Sequence, residues 1–127
     1  MLFRSDRVLV DAPCSGFGTL RRNPDLKWRH DAPAIDELSA KQRAILGSAS
    51  KLVKPGGRLV YATCSILPEE NEAVAAAFGT AHPEFAELDC GEILAMQRIP
   101  LESGRQLRLW PHRHGFDGFF AAVFERR

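Results

Sequence analysis

An α/β fold is predicted for this 127-residue chain, from three observations. Two short apolar runs, Arg7-Val-Leu-Val-Asp11 and Arg58-Leu-Val-Tyr-Ala62, have the β-branched character of buried strands. Helical spacing fills the interval before the second run. Strands without an intervening helix then close the chain. A strand, helix, strand order forces the first two strands to run parallel, with a right-handed crossover.

The elements follow in order. Val8-Leu9-Val10, bounded by charge, is predicted to be buried on both faces. Residues 12–30 hold Pro13, Gly16, Gly18, Asn23 and Pro24 without a sustained period, which predicts a long, functional loop. From about Ala34 to Val53, apolar residues recur at Ile35, Leu38, Ile45, Leu46, Ala49, Leu52 and Val53. That is helical spacing, with Asp31 as N-cap and Pro33 in the first turn. Lys54-Pro55-Gly56-Gly57 is predicted to stop the helix and turn the chain. Pro68-Glu69-Glu70 is predicted to open a second helix that runs to about Thr80, its acids facing the positive end of the dipole. Phe85 to Leu88 fits a short strand, Gly91 to Ser103 is irregular, and Leu107 to Trp110 and Phe119 to Phe124 are predicted to be strands.

Composition narrows the class. Hydrophobic residues make up 45% and charged residues 26%, as in soluble globular domains. Lys+Arg 17 against Asp+Glu 16 leaves a net charge of +1, so global charge selects no partner. No apolar run approaches the roughly 18 residues that cross a membrane. Met1-Leu-Phe-Arg-Ser-Asp leads almost directly into a strand and carries no signal-peptide pattern. Three cysteines form an odd count without close pairs, which argues against a disulfide framework and for a reducing cytoplasm.

The chemistry concentrates at two strand ends. Asp11-Ala-Pro-Cys14-Ser15-Gly16 and Ala62-Thr63-Cys64-Ser65 each place a cysteine just beyond a predicted strand. Ligands in parallel sheets bind at the carboxyl ends of strands. Neighbouring strands lie about 4.8 Å apart, so both loops can reach one ligand. A thiol is a strong nucleophile once deprotonated. Asp11, at the same strand end, can accept a proton or hold an amino group. Gly16 and Gly18 allow close backbone approach. Cys90 lies outside both loops and is read as a small buried hydrophobe. A zinc site of Cys14, Cys64, His112 and His114 lacks the close cysteine pairs of structural zinc. Arg21-Arg22-Asn-Pro-Asp-Leu-Lys27-Trp28-Arg29-His30 is the one strongly basic stretch. Its cations suit phosphates and Trp28 suits base stacking, although a solvated loop with Trp28 on the core is the plainer alternative. Beside a nucleophile cleft, nucleic acid is favoured.

Val8-Leu-Val-Asp-Ala-Pro-Cys-Ser-Gly-Phe-Gly-Thr19, Arg21-Arg-Asn-Pro-Asp25 with Lys27-Trp28, Lys54-Pro-Gly-Gly57 and Leu59-Val-Tyr-Ala-Thr-Cys-Ser-Ile-Leu-Pro-Glu-Glu-Asn71 together resemble the Sun-type RNA cytosine-5 methyltransferases. Gly115-Phe-Asp-Gly-Phe-Phe120 fits the last strands of that family. The resemblance implies a partial Rossmann-like class I methyltransferase fold: the fourth and fifth parallel strands with their helices, plus terminal antiparallel strands. It implies S-adenosylmethionine as methyl donor and rRNA or tRNA as substrate. It gives Cys64 the attack on C6 of cytosine and Cys14 the release of methylated RNA. Asp11 would contact the cytosine edge and, with Pro13, lie near the cofactor, while Arg21, Arg22, Lys27, Trp28 and Arg29 would hold RNA. The family's glycine-rich cofactor loop and acidic ribose-binding strand precede the Asp-Ala-Pro-Cys motif. Residues 1–127 are therefore expected to form the C-terminal part of a catalytic domain, binding S-adenosylmethionine weakly or not at all by themselves. The first strand, lacking a neighbour, invites self-association. A non-catalytic RNA-binding or assembly module is the alternative from another class. Methyl transfer after adding a cofactor-binding half in trans would separate the two.

Overall fold

The computed structural model describes residues 4–19, 31–101, 103–110 and 117–127. Five strands form one mixed sheet. Strand β1 (Ser5–Asp11) is followed by helix α1 (Ala32–Ser50) and strand β2 (Val53–Thr63). Helix α2 (Glu72–Ala81), strand β3 (Phe85–Leu88) and helix α3 (Cys90–Met96) come next, and strands β4 (Leu107–Leu109) and β5 (Phe119–Arg126) end the described chain. The order across the sheet is β1-β2-β5, with β3 and β4 both pairing with β5. Strands β1 and β2 are parallel, as the crossover requires, and every pairing of β5 is antiparallel.

Register explains the core. Leu59 pairs with Phe124, Tyr61 with Ala122 and Thr63 with Phe120, which puts these side chains on one face. All six are essentially inaccessible to solvent. Helices α1 and α2 pack against each other and supply Leu46, Val74 and Phe78 to the same core. Phe78 stands edge-on to Phe124, with ring centroids 4.8 Å apart, a preferred aromatic geometry.

Helix α1 starts where its cap signals place it. The Asp31 side chain accepts a hydrogen bond from Ala34 N at 2.9 Å, and a proline occupies the first turn.

Four expectations need correction. Strand β1 is not buried on both faces. Val8 and Val10 share the face of Leu59 and Tyr61, whereas Leu9 on the other face is 68% exposed. Lys54-Pro-Gly-Gly57 is not a turn outside the strand but lies within β2. There the pairing jumps from Ser5↔Val53 to Arg7↔Arg58, and Gly56 supplies the positive φ of 82° that such a bulge needs. Helix α2 begins at Glu72 rather than Pro68. Glu70 and Asn71 turn their side chains inward, so residues 68–71 form a turn instead of a first helical turn. Finally, the stretch Gly91 to Ser103 is not irregular throughout: its first part, to Met96, belongs to α3. Asp89 caps α3, accepting from Glu92 N at 3.2 Å.

A paired-thiol candidate active site

The two cysteine loops leave the carboxyl ends of adjacent parallel strands. Asp11 pairs with Ala62 at the end of the ladder, and Ala12 N still reaches Ala62 O at 2.9 Å. Cys14 lies three residues past Asp11 and Cys64 two past Ala62, and Cys14 Sγ comes to 3.2 Å from Cys64 Sγ. Each thiol is half-buried. Cys90, by contrast, is buried against Ala121 O, and burial pushes its thiol up, in keeping with a packing role.

The contact divides the two thiols. The hydrogen bond that Cys14 gives lowers the Cys64 thiol to about 7, although burial and the carboxylates of Asp11 and Glu70 oppose the shift. That same bond, and then burial, holds the Cys14 thiol far above its usual range. A proton leaving the pair therefore leaves Cys64 first. The direction of these shifts favours the thiolate at Cys64, with the Cys14 thiol as its hydrogen-bond donor.

A buried polar knot lies beneath the sulfurs. Glu70 is fully buried. One carboxylate oxygen accepts from Ser15 N at 2.7 Å and from Gln42 Nε2 at 3.3 Å. The other accepts from Ser15 Oγ at 2.7 Å and from Ser65 Oγ. Gln42 Nε2 also donates to Pro13 O at 2.9 Å. Beside this knot, Thr63 Oγ1 donates to Asn71 Oδ1 at 2.6 Å, and Asn71 Nδ2 donates to Ser65 O at 2.9 Å. Tyr61 OH donates to Glu70 O at 2.6 Å.

The loops also meet through their backbones. Gly18 N donates to Cys64 O at 2.8 Å, and Gly118 N donates to Gly18 O at 2.6 Å. A Cβ on Gly18 would overlap the carbonyl oxygens of both Gly118 and Cys64, so only glycine fits. Gly16, at φ 77°, starts the short 3-10 turn over Phe17–Thr19.

Of the sequence-predicted site residues, the structure brings Cys14, Cys64, Asp11 and Pro13 to one end of the sheet. Asp11 and Pro13 are exposed there. Arg21, Arg22, Lys27, Trp28 and Arg29 lie outside the described residues, as do His112 and His114 of the zinc alternative. Among the described residues, no group of three or more His, Cys, Asp or Glu side chains could hold a metal ion. Glu70, Ser15, Ser65 and Gln42 were not expected at the site. Glu70 and Ser65 stand inside the second motif, but nothing in their spacing says that they point inward.

The family model described as 16S rRNA methyltransferase RsmB/F matches residues 2–125. The chain belongs to that family. Within it, the chain is 46% identical over 117 residues to "Ribosomal RNA small subunit methyltransferase B" of Shewanella oneidensis, covering 92% of this chain and 26% of that protein. The crystal structure of PH0851 matches with TM-score 0.86 and 45% identity, over 96% of this chain and 27% of that one. NSun6 from Pyrococcus horikoshii, solved with SFG, matches with TM-score 0.79 and 28% identity, over 99% of this chain and 31% of that one. The RsmB/F chain thus has a class I methyltransferase fold and spans about a quarter of the length of the curated relatives it matches. Among the described residues, no helix is long and apolar enough to cross a membrane.

Proposed function

We propose that these residues form the thiol-bearing, C-terminal part of a domain that methylates C5 of cytosine in RNA. The paired thiols carry this reading: Cys64 is acidic because Cys14, 3.2 Å away, donates to it. A nucleophile that is half thiolate near neutral pH suits addition to an electron-poor ring.

Cys64 Sγ forms a bond to C6 of cytosine, and the electrons of the C5–C6 double bond move to C5. S-adenosylmethionine, when bound, supplies the methyl group that C5 takes. A base removes the C5 proton, the double bond re-forms and the Cys64 thiolate leaves. Cys14 sits where it can assist that release. The exposed carboxylate of Asp11 at the end of β1 suits the positive groups of S-adenosylmethionine and the amino edge of cytosine, and Pro13 stands beside it. Arg21, Arg22, Lys27 and Arg29 would hold phosphates and Trp28 would stack on a base. The target base must leave its stack to reach the thiols. The RNA is rRNA by likeness to the named relatives, with tRNA the other candidate, and the compartment is the cytoplasm.

A chimera tests the proposal. This chain replaces the matching segment of the Shewanella oneidensis relative, and the product is incubated with S-adenosylmethionine and small-subunit rRNA containing 5-fluorocytosine. A denaturation-resistant protein–RNA adduct is expected, and Cys64→Ser should abolish it. An adduct that persists in Cys64→Ser and depends on Cys14 would reverse the two roles. No adduct and no methyl transfer with unmodified RNA would sink the reading.

A further inference from the structure

We infer that Glu70 is a positioning residue for Cys64: its buried carboxylate clamps the two cysteine loops together and fixes the contact between their sulfurs. Burying a carboxylate is costly unless hydrogen bonds compensate it, and an apolar side chain would fill the same space without that demand. Here the compensation is specific. The donors are Ser15, through both its amide and its hydroxyl, Ser65, through its hydroxyl, and Gln42. Ser15 directly follows Cys14, and Ser65 directly follows Cys64. One carboxylate therefore grips the residue next to each sulfur. Gln42 extends the grip to Pro13 O, on the other side of Cys14.

Elsewhere, the loop backbones are joined after the ladder ends by Ala12 N to Ala62 O and by Gly18 N to Cys64 O, neither of which involves a neighbour of Cys14. The Ser15 and Ser65 hydroxyls also meet directly, at 3.5 Å, but both donate at shorter range to the same Glu70 oxygen. The carboxylate is therefore the main link from the residues flanking Cys14 to the Cys64 loop. Glu70 acts by place rather than by charge, because its negative charge disfavours a thiolate at Cys64. The two roles thus have opposite signs.

This inference takes the nucleophile from the proposed reaction, but its test uses neither RNA nor methyl donor. The 127-residue chain is alkylated with iodoacetamide across pH, and modification of Cys64 is followed by peptide mass spectrometry beside a thermal melt. Cys14→Ala supplies the profile of an unpartnered Cys64. In Glu70→Gln, the midpoint for Cys64 should rise from about 7 toward that of Cys14→Ala. Its alkylation at pH 7 should slow by about tenfold as the thiolate fraction falls. Glu70→Asp should recover part of the shift. Ser65→Ala removes one arm of the clamp and should move the midpoint the same way by less, which keeps the test open if Glu70→Gln does not fold. A midpoint unchanged in folded variants, or lowered as charge removal alone demands, would overturn the inference. An absent RNA adduct in the chimera would leave this result readable, and a failed clamp would leave the adduct test intact.

Discussion

Cys64 and Gly18 illustrate two ways in which single residues carry this site, one by chemistry and one by having no side chain. The convergence of the thiols was legible from sequence because each cysteine stands within three residues of the carboxyl end of one of two adjacent parallel strands. Their unequal roles followed only from the family resemblance; the physical basis, a sulfur contact of 3.2 Å and unequal burial, is visible only in the structure. Glu70 was hidden for a different reason. In sequence, Pro-Glu-Glu has the look of an acidic first turn of a helix. Asn71 spends its side chain on Thr63 and Ser65 instead, the helix starts two residues after Glu70, and Glu70 is free to turn inward. Gly18 makes a direct prediction. Gly18→Ala forces its Cβ against two backbone carbonyls that cannot yield without moving a loop. The expected loss is about 1–3 kcal/mol of stability, as for overpacking generally, measured by denaturant unfolding. Tolerance within a few tenths would show that the loops can part there.

Elements were legible where local signals stood alone. Helix α1 follows from Asp31, Pro33 and the apolar spacing, and β3 falls on Phe85–Leu88 as predicted. Helix α3 was missed although Asp89 and Glu92 stand at capping-box spacing, because only seven residues follow the cap. The bulge in β2 was mistaken for a turn, since Pro-Gly-Gly has the same local chemistry in both settings. Strand β1 was overestimated because an apolar run does not reveal how many faces are covered. Among the described strands it pairs only with β2, and Leu9 stands on the uncovered face. We expect this edge to drive self-association of the isolated chain. Light scattering at rising concentration should show a growing mass for the parent chain and a monomer for Leu9→Lys. A monomeric parent would refute this.

At the scale of the molecule, β5 decides the architecture by running antiparallel between β2 and the pair β3 and β4. Its approach brings Gly118 over Gly18 and so closes the thiol end of the sheet. The order of elements announced only the parallel pair β1 and β2, and the family resemblance implied the antiparallel end strands; the place of β5 and the register that stacks Leu59, Tyr61 and Thr63 on it could not be read before the structure. The relatives are about four times as long as the matched segment, and Asp11 and Pro13 are the cofactor-facing groups proposed within it. Calorimetry of the 127-residue chain with S-adenosylmethionine should therefore give weak binding, and micromolar affinity would contradict the proposed division of labour.

The backbone bonds from Gly118 to Gly18 and from Gly18 to Cys64 join three connecting segments that no strand ladder unites. Loop amides ordinarily trade their protons with water quickly. Each of these two can do so only when the pair of segments that it joins comes apart. Slow exchange at Gly18 and Gly118 would therefore report how rarely the thiol cleft opens, which ordinary loop amides do not.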